Sequence, residues 1–182
     1  INVKIKSSNV LIAAFAGLFI AQSAFAADGT ITINGKITDT TCGISVNNGT
    51  KDGTVTLPVV SASALDGINS VAGTTPFNIV LTGCTGATMG NAYAHFEQGT
   101  TVEASTGRLN NSDIDGATGV QVRLLDKNSA PIVVGSGNQG NVVEDISGDG
   151  ATLSYYAQYY ANEANVEAGL VATNVDYTIV YD

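Results

Sequence analysis

The sequence predicts an all-β fold, a sandwich of short strands, and three observations carry that prediction. Apolar residues recur at every second position in run after run. Glycine- and asparagine-rich turns separate the runs, and no apolar stripe of helical period persists over a dozen residues. Period 2 sends alternate side chains to opposite faces of an extended segment, so each run offers one face to a core. Many such strands with turn signals between them form a sandwich.

In chain order, the first segment stands outside that fold. Lys4 and Lys6 supply positive charge, an apolar run follows from Val10 to Ile20, and Ala24-Phe25-Ala26 places small residues where a signal peptidase reads. That order predicts a secretory signal over residues 1–26, cut between Ala26 and Ala27. A transmembrane anchor is the rival reading, and the run is short for the roughly 30 Å of hydrocarbon it would cross.

The strands follow. Ile31, Ile33 and Ile37 alternate with Thr32, Asn34 and Lys36, and Val55 and Leu57 follow Gly53. Phe77, Ile79 and Leu81 make a third run, Val120, Val122 and Leu124 a fourth, and Leu153, Tyr155, Ala157 and Tyr159 a fifth. Val175, Tyr177, Ile179 and Tyr181 make the last, with Asp182 directly after it. Asn47-Asn48-Gly49, Gly135-Ser136-Gly137-Asn138 and Gly148-Asp149-Gly150 are turn sequences. A short helical turn is expected between Ala62 and Ala72. Composition shows neither an internal repeat nor a break that would mark a second domain.

Charge and cysteines narrow the function. Without residues 1–26 the chain keeps five basic residues against sixteen acidic ones, a net charge of −11. Nucleic acid and anionic bilayers would repel it, so neither is an expected partner. No second apolar segment is long enough for stable membrane insertion. Cys42 and Cys84 both lie in the exported part, and an even count in an oxidising compartment predicts one disulfide. Half a metal site is the alternative, and it lacks ligands, because His95 is the only histidine and no C-x-x-C pair exists.

Four stretches, in order, carry a family resemblance. They are Gly29-Thr30-Ile31-Thr32-Ile33-Asn34-Gly35-Lys36-Ile37-Thr38-Asp39 shortly before Cys42, and Thr75-Pro76-Phe77-Asn78-Ile79-Val80-Leu81-Thr82-Gly83-Cys84. Gly119-Val120-Gln121-Val122-Arg123-Leu124-Leu125-Asp126 and the ending with Ala168-Gly169, Tyr177 and penultimate Tyr181 complete the set. Over its exported length the chain resembles the pilin domains of type 1-like chaperone–usher fimbriae. The resemblance implies an incomplete immunoglobulin-like β-sandwich lacking its last strand, completed by a donor strand from another subunit. It divides the chain into a signal peptide (1–26), an N-terminal donor-strand extension (27–38) and a pilin domain (39–182). Ile31, Ile33, Gly35 and Ile37 become the donor face, and Val175, Tyr177, Ile179 and Tyr181 the border of the acceptor groove. The family also carries a glycine at the place of Gly35, where a shallow spot in the groove would bring backbones close.

The implied partners are identical or related pilin subunits, a periplasmic chaperone and an outer-membrane usher. The implied destination is a fimbrium at the cell surface, reached through the periplasm, with no cofactor and no metal. A minor adaptor or tip-associated carbohydrate-binding pilin is the alternative, and a small secreted β-sandwich enzyme a more distant one. Period 2 alone leaves the first run open to a second reading, as the ordinary first strand of a complete sandwich.

Other signals are weaker. Asn111, Asp113, Asp115 and Gly116 imitate the opening of a calcium loop, as do Asp145, Ser147, Asp149 and Gly150. Val122 and Tyr156 stand where the twelfth-position carboxylate belongs, so both are expected to be polar turns. His95 has no nucleophile signature around it, no G-x-S-x-G occurs, and no catalysis is read. Tyr155 and Tyr159 should share one face of their strand and Tyr156 and Tyr160 the other, as core and sheet surface.

Overall fold

A computed structural model of the chain describes residues 31–86, 90–140 and 142–182. The expected signal segment and the Ala26–Ala27 cleavage point lie outside them. Two units separate by contacts, residues 1–36 and residues 37–182. Of the first, residues 31–36 are described: they carry no strand, and Ile31 and Ile33 are exposed.

Among its described residues the second unit has nine strands: β1 (Thr41–Val46), β2 (Val71–Thr85), β3 (Asn91–Phe96), β4 (Val102–Glu103), β5 (Arg108–Asn110), β6 (Val120–Leu125), β7 (Glu144–Asp145), β8 (Gly150–Ala161) and β9 (Tyr177–Tyr181). Six form one sheet in the order β1-β2-β8-β6-β5-β4, and three form a second in the order β7-β3-β9. Every strand pair is antiparallel. A single 3-10 turn, Ala62–Leu65, occupies the expected helical place, with the Ser61 hydroxyl accepting the Ser63 amide at its start.

Alternation decides the core. Phe77, Ile79 and Leu81 of β2 and Leu153, Tyr155 and Ala157 of β8 turn inward, as their period-2 spacing requires. They meet Ala92, Ala94 and Phe96 of β3, so both sheets contribute to one cluster. Tyr155 knits it. Its ring stands edge-on to Phe96 at 5.1 Å and lies 5.6 Å from Phe77, and its hydroxyl oxygen accepts the Ala94 amide at 3.2 Å. Burial pushes the Tyr155 phenol above its ordinary pKa. Gln139, also buried, brackets Phe96 with two bonds, Oε1 accepting the Phe96 amide and Nε2 donating to its carbonyl. An amide side chain thereby replaces a strand partner where β7 is too short to supply one.

The sandwich has two distinct ends. At the base lie Thr41 opposite Thr85 and Thr82 opposite Gly150, with Cys42 and Cys84 joined in a disulfide. At the crown lie Val71 opposite Tyr160 and Val120 opposite Ala161. Connecting segments 57–70 and 162–172 close the crown over a small second cluster of Leu65, Val120 and Ala161. Gly119 makes that closure possible. Its φ is +70°, and an added Cβ would stand 2.4 Å from the Asn165 carbonyl oxygen.

The tyrosine-rich strand divides as its alternation predicts, with one addition. Tyr155 and Tyr159 face inward, while Tyr160 on the outer face is buried as well. The Arg108 and Arg123 guanidinium carbons stand 4.2 and 4.9 Å from its ring centroid, and its hydroxyl donates to Asn69 Oδ1.

Candidate functional site

The two sheets do not close along one side. A groove of about 970 Å³ runs there, floored by Phe77, Ile79, Phe96, Leu109, Val122, Leu124, Ala157 and Tyr159. These are the inward side chains of β2, β3, β5, β6 and β8, so the floor of the groove is the domain core itself. Its two banks are chain segments, residues 51–57 and 171–177, with Ile179 continuing the second.

Each bank presents a strand-like edge that pairs with no strand among the described residues. Along residues 53–58, Val55 and Leu57 are half-buried between exposed neighbours, the burial pattern of a strand, yet no strand is assigned. On the facing side β9 pairs with β3 by one edge, and its other edge pairs with no strand among the described residues. The banks meet where the Tyr177 hydroxyl donates to the Lys51 carbonyl at 2.8 Å. Burial, and then nearby Asp52, push the Tyr177 phenol up, so that proton stays in place at neutral pH. Between Tyr177 and Val171 the trough is about six residues long, roughly 20 Å of extended chain. Thr173, within the second bank, has a buried hydroxyl with no hydrogen-bond partner among the described residues.

The second bank is held by an unexpected fastener. Asn111 Nδ2 donates to the Ala117 and Leu170 carbonyls, both at 2.9 Å, and its Oδ1 accepts the Asp113 and Ala172 amides at 3.1 and 2.9 Å. The calcium-like spacing is therefore a polar turn whose first side chain pins residues 170–172. Asn111→Ala takes a partner from the Asp113 and Ala172 amides and from the Ala117 carbonyl, while the Leu170 carbonyl keeps the Ala117 amide. The expected loss is about 1–3 kcal/mol of folding stability, measured by denaturant unfolding, with faster release of a peptide bound in the groove.

Of the residues the sequence placed at a groove border, Val175, Tyr177 and Ile179 line it. Tyr181 packs against the core lower down and does not reach the groove. The strand begins at Tyr177, two residues later than its alternation suggests. The Asn174 carbonyl instead accepts the Thr101 hydroxyl at 2.6 Å, and the Asp176 carbonyl accepts the Glu97 amide at 2.9 Å. Ile31, Ile33 and Ile37 are 90%, 89% and 100% exposed, and a Cβ placed on Gly35 meets nothing within 4 Å. Residues 51–57 were legible as an apolar alternation but not as a border, since nothing in the sequence says that Val55 and Leu57 lack a partner.

His95 points away from the core on β3, with Nε2 3.8 Å from Glu97 Oε2, and opposite it on β9 stands Thr178, whose hydroxyl donates to Glu97 Oε1 at 2.7 Å. Among the described residues no three histidine, cysteine or acidic side chains converge as metal ligands, and no helix is long and apolar enough to cross a membrane. What the groove can do is accept an extended apolar peptide, pairing its backbone with both banks and burying alternate side chains in the floor.

Known proteins resemble this chain in sequence and in fold. Residues 57–182 match the family model described as Type-1 fimbrial protein, A. The chain is 44% identical over 167 residues to the major fimbrial subunit SMF-1 of Stenotrophomonas maltophilia, covering 88% of this chain and 96% of that protein. It is 40% identical over 169 residues to the F17 fimbrial protein of Escherichia coli, covering 88% and 91%. Among solved structures, an antigen and type I fimbria protein of Burkholderia pseudomallei superposes with a TM-score of 0.56 at 28% identity, over 79% of this chain and 97% of that one.

Proposed function

We propose, from the premise that the chain belongs to the type-1 fimbrial protein family, that its groove receives the N-terminal extension of a neighbouring copy and that its own extension fills the groove of another. The chain is a structural subunit of an adhesive surface fimbria, exported through the periplasm. Its fold is the immunoglobulin-like sandwich of chaperone–usher pilins, and its partners are other pilin subunits. Before assembly the periplasmic chaperone covers the same apolar floor, and the usher passes the subunit outward.

The observation that carries this reading is the match between a trough and a strand. The trough is about six residues long with two unpartnered edges and an apolar floor. Residues 31–37 present Ile31, Ile33 and Ile37 on one face, all exposed. Burying each contributes on the order of 1.5–3 kcal/mol, and the bank carbonyls and amides gain partners. Gly35 falls on the same face, and the reading expects a shallow spot of the groove there, where a side chain would overpack. The subunit works by this exchange alone and catalyses no reaction of its own.

Deleting residues 27–37 tests the reading. The expected variant receives a strand but cannot give one, so it caps fibres and forms none by itself. Electron microscopy of the purified variant incubated with and without full-length subunit reads both halves of that statement. Fibres formed by the variant alone would sink it.

A further inference from the structure

The outer face of the larger sheet carries two arginines that strand exchange does not use. Period 2 turns Leu109, Val122 and Ala157 toward the groove, and Arg108, Arg123 and Gln158 away from it. Leu109 pairs with Val122, so the next rung sets Arg108 opposite Arg123, which in turn pairs with Gln158. Both guanidinium groups sit against one ring, that of Tyr160, at 4.2 and 4.9 Å from its centroid. Like charges directly opposite each other weaken a strand pair. Residues 27–182 hold sixteen acidic side chains against five basic ones, yet neither arginine has a carboxylate partner. The ion pairs among the described residues are His95–Glu97 and Lys127–Glu144.

Buried amides fix the pair in place. Gln121 and Gln158 are 5% and 4% exposed. Gln121 Oε1 accepts Arg108 Nε at 2.7 Å, while its Nε2 donates to Asn110 Oδ1 at 2.7 Å. The Gln158 amide, turned so that both its ends are satisfied, accepts Arg123 Nε and Nη2 at 3.0 and 2.6 Å and donates to the Thr74 hydroxyl at 2.8 Å. Both terminal nitrogens of Arg108 and Nη1 of Arg123 are left without a partner among the described residues. Burial above all lowers the Arg123 pKa, and the Arg108 charge lowers it further. Two guanidinium groups held side by side with terminal N–H groups unspent are completed by an oxyanion, because a carboxylate accepts from both at once.

We infer that this pair binds the carboxylate of an acidic saccharide. Charge chooses a saccharide over a side chain of a second copy. A copy laid on this face would bring a net charge of −11 against an equal one, much of it within the roughly 8 Å over which charges act in physiological salt. A sugar acid brings one carboxylate and otherwise neutral hydroxyls. Tyr156 supplies a second contact: it is half-buried on the same face of β8, two residues from Gln158 and roughly 7 Å along the strand, on the rungs of Leu125 and Pro76. A neighbouring sugar ring can lie on that apolar patch. A fibre repeats the site once per subunit and an acidic polymer repeats its carboxylate, so weak single contacts add up to firm retention. The site faces away from the groove and stands whether or not strands are exchanged.

NMR of the subunit reads the site first. The Nε–H groups of Arg108 and Arg123 are hydrogen-bonded to glutamines, and their signals should shift when glucuronate is added at constant ionic strength and stay still with glucose. Fibres should then be retained on immobilised hyaluronan, whose repeat carries a glucuronate, and not on the same polymer with its carboxyls reduced. Arg108→Gln with Arg123→Gln should weaken retention roughly tenfold or more, the factor that loss of charge-assisted hydrogen bonds brings. Lys127→Gln removes a charge paired elsewhere and should change it less than about twofold. If the double variant does not fold, the glucuronate shifts of the parent still decide. Signals unmoved by glucuronate, or moved equally by glucose, overturn the site, as does retention that survives the double substitution. Signals that move on self-association of the subunit but not with glucuronate give the pair to a second copy and overturn the saccharide.

Discussion

Appending residues 28–38 after Asp182 through a short flexible linker is expected to convert the subunit into a stable, non-polymerising monomer. Without a guest the half-buried side chains along the groove, among them Val55, Leu57, Tyr159, Val175 and Ile179, stay partly open to water. The grafted strand covers them. Three isoleucines contribute on the order of 1.5–3 kcal/mol each, and bank hydrogen bonds contribute about 1 kcal/mol each. Ordering the strand costs about 1–2 kcal/mol per residue. The strand also buries the half-open groove walls beneath it, and that added burial tips the balance toward the grafted monomer. Size-exclusion chromatography should show one monomeric species, and the denaturant midpoint should rise well above that of the ungrafted chain. A graft that is no more stable, or that still forms fibres, defeats the strand-exchange reading.

Linker length carries further information. Asp182 lies at the base, exchanging backbone hydrogen bonds with Asn91 at 3.1 and 2.9 Å. If the strand runs with Ile31 toward the base, a linker of about four residues suffices, since it reaches about 13 Å. The reverse direction would need the linker to run the length of the groove first. Equal stability with short and long linkers is the expected result.

Much of this was legible in the sequence because alternation is a physical constraint on every buried strand. The runs at Phe77–Leu81, Val120–Leu124 and Leu153–Ala157 are strands whose alternate residues enter the core. The cysteine pair bonded as the exported context required. β3 was harder to see. Its inward residues Ala92 and Ala94 are small, and a core position filled by alanine leaves little hydrophobic contrast with its neighbours. β4, β5 and β7 are two or three residues long, below the length at which alternation exists at all.

The site was half legible for a different reason. The apolar character of Val175, Tyr177 and Ile179 is written in the sequence, but which edge stays unpaired depends on contacts distant in the chain. Residues 51–57 alternate as a strand would, and no strand among the described residues pairs with them. Asn111 looked like a failed calcium ligand because the spacing of a polar turn does not reveal that its first side chain reaches Leu170, 59 residues away.

Breaking the Cys42–Cys84 disulfide is expected to have the second large effect. The cysteines are 42 residues apart in sequence, and closing a loop of that length removes about 4 kcal/mol of unfolded-state entropy. The bond lies where it matters most. β1 is an edge strand held by β2 alone, and its register shifts between Thr41 and Gly43. Cys84 is buried and belongs to β2, which is flanked by both β1 and β8. Under the proposed strand exchange, tension on the extension in a fibre would arrive at Thr40, two residues before Cys42. The disulfide hands that load from an edge strand to an interior one. Replacing both cysteines with serine in the grafted monomer should lower stability by about 4 kcal/mol, read from the denaturant midpoint, and should sharply reduce periplasmic yield of the ungrafted chain. Fibres reduced under native conditions should rupture at lower force, with β1 peeling from β2 before any guest strand leaves its groove. Thiol titration of the denatured, unreduced subunit should find none, and two free thiols there would remove the basis for all of these outcomes.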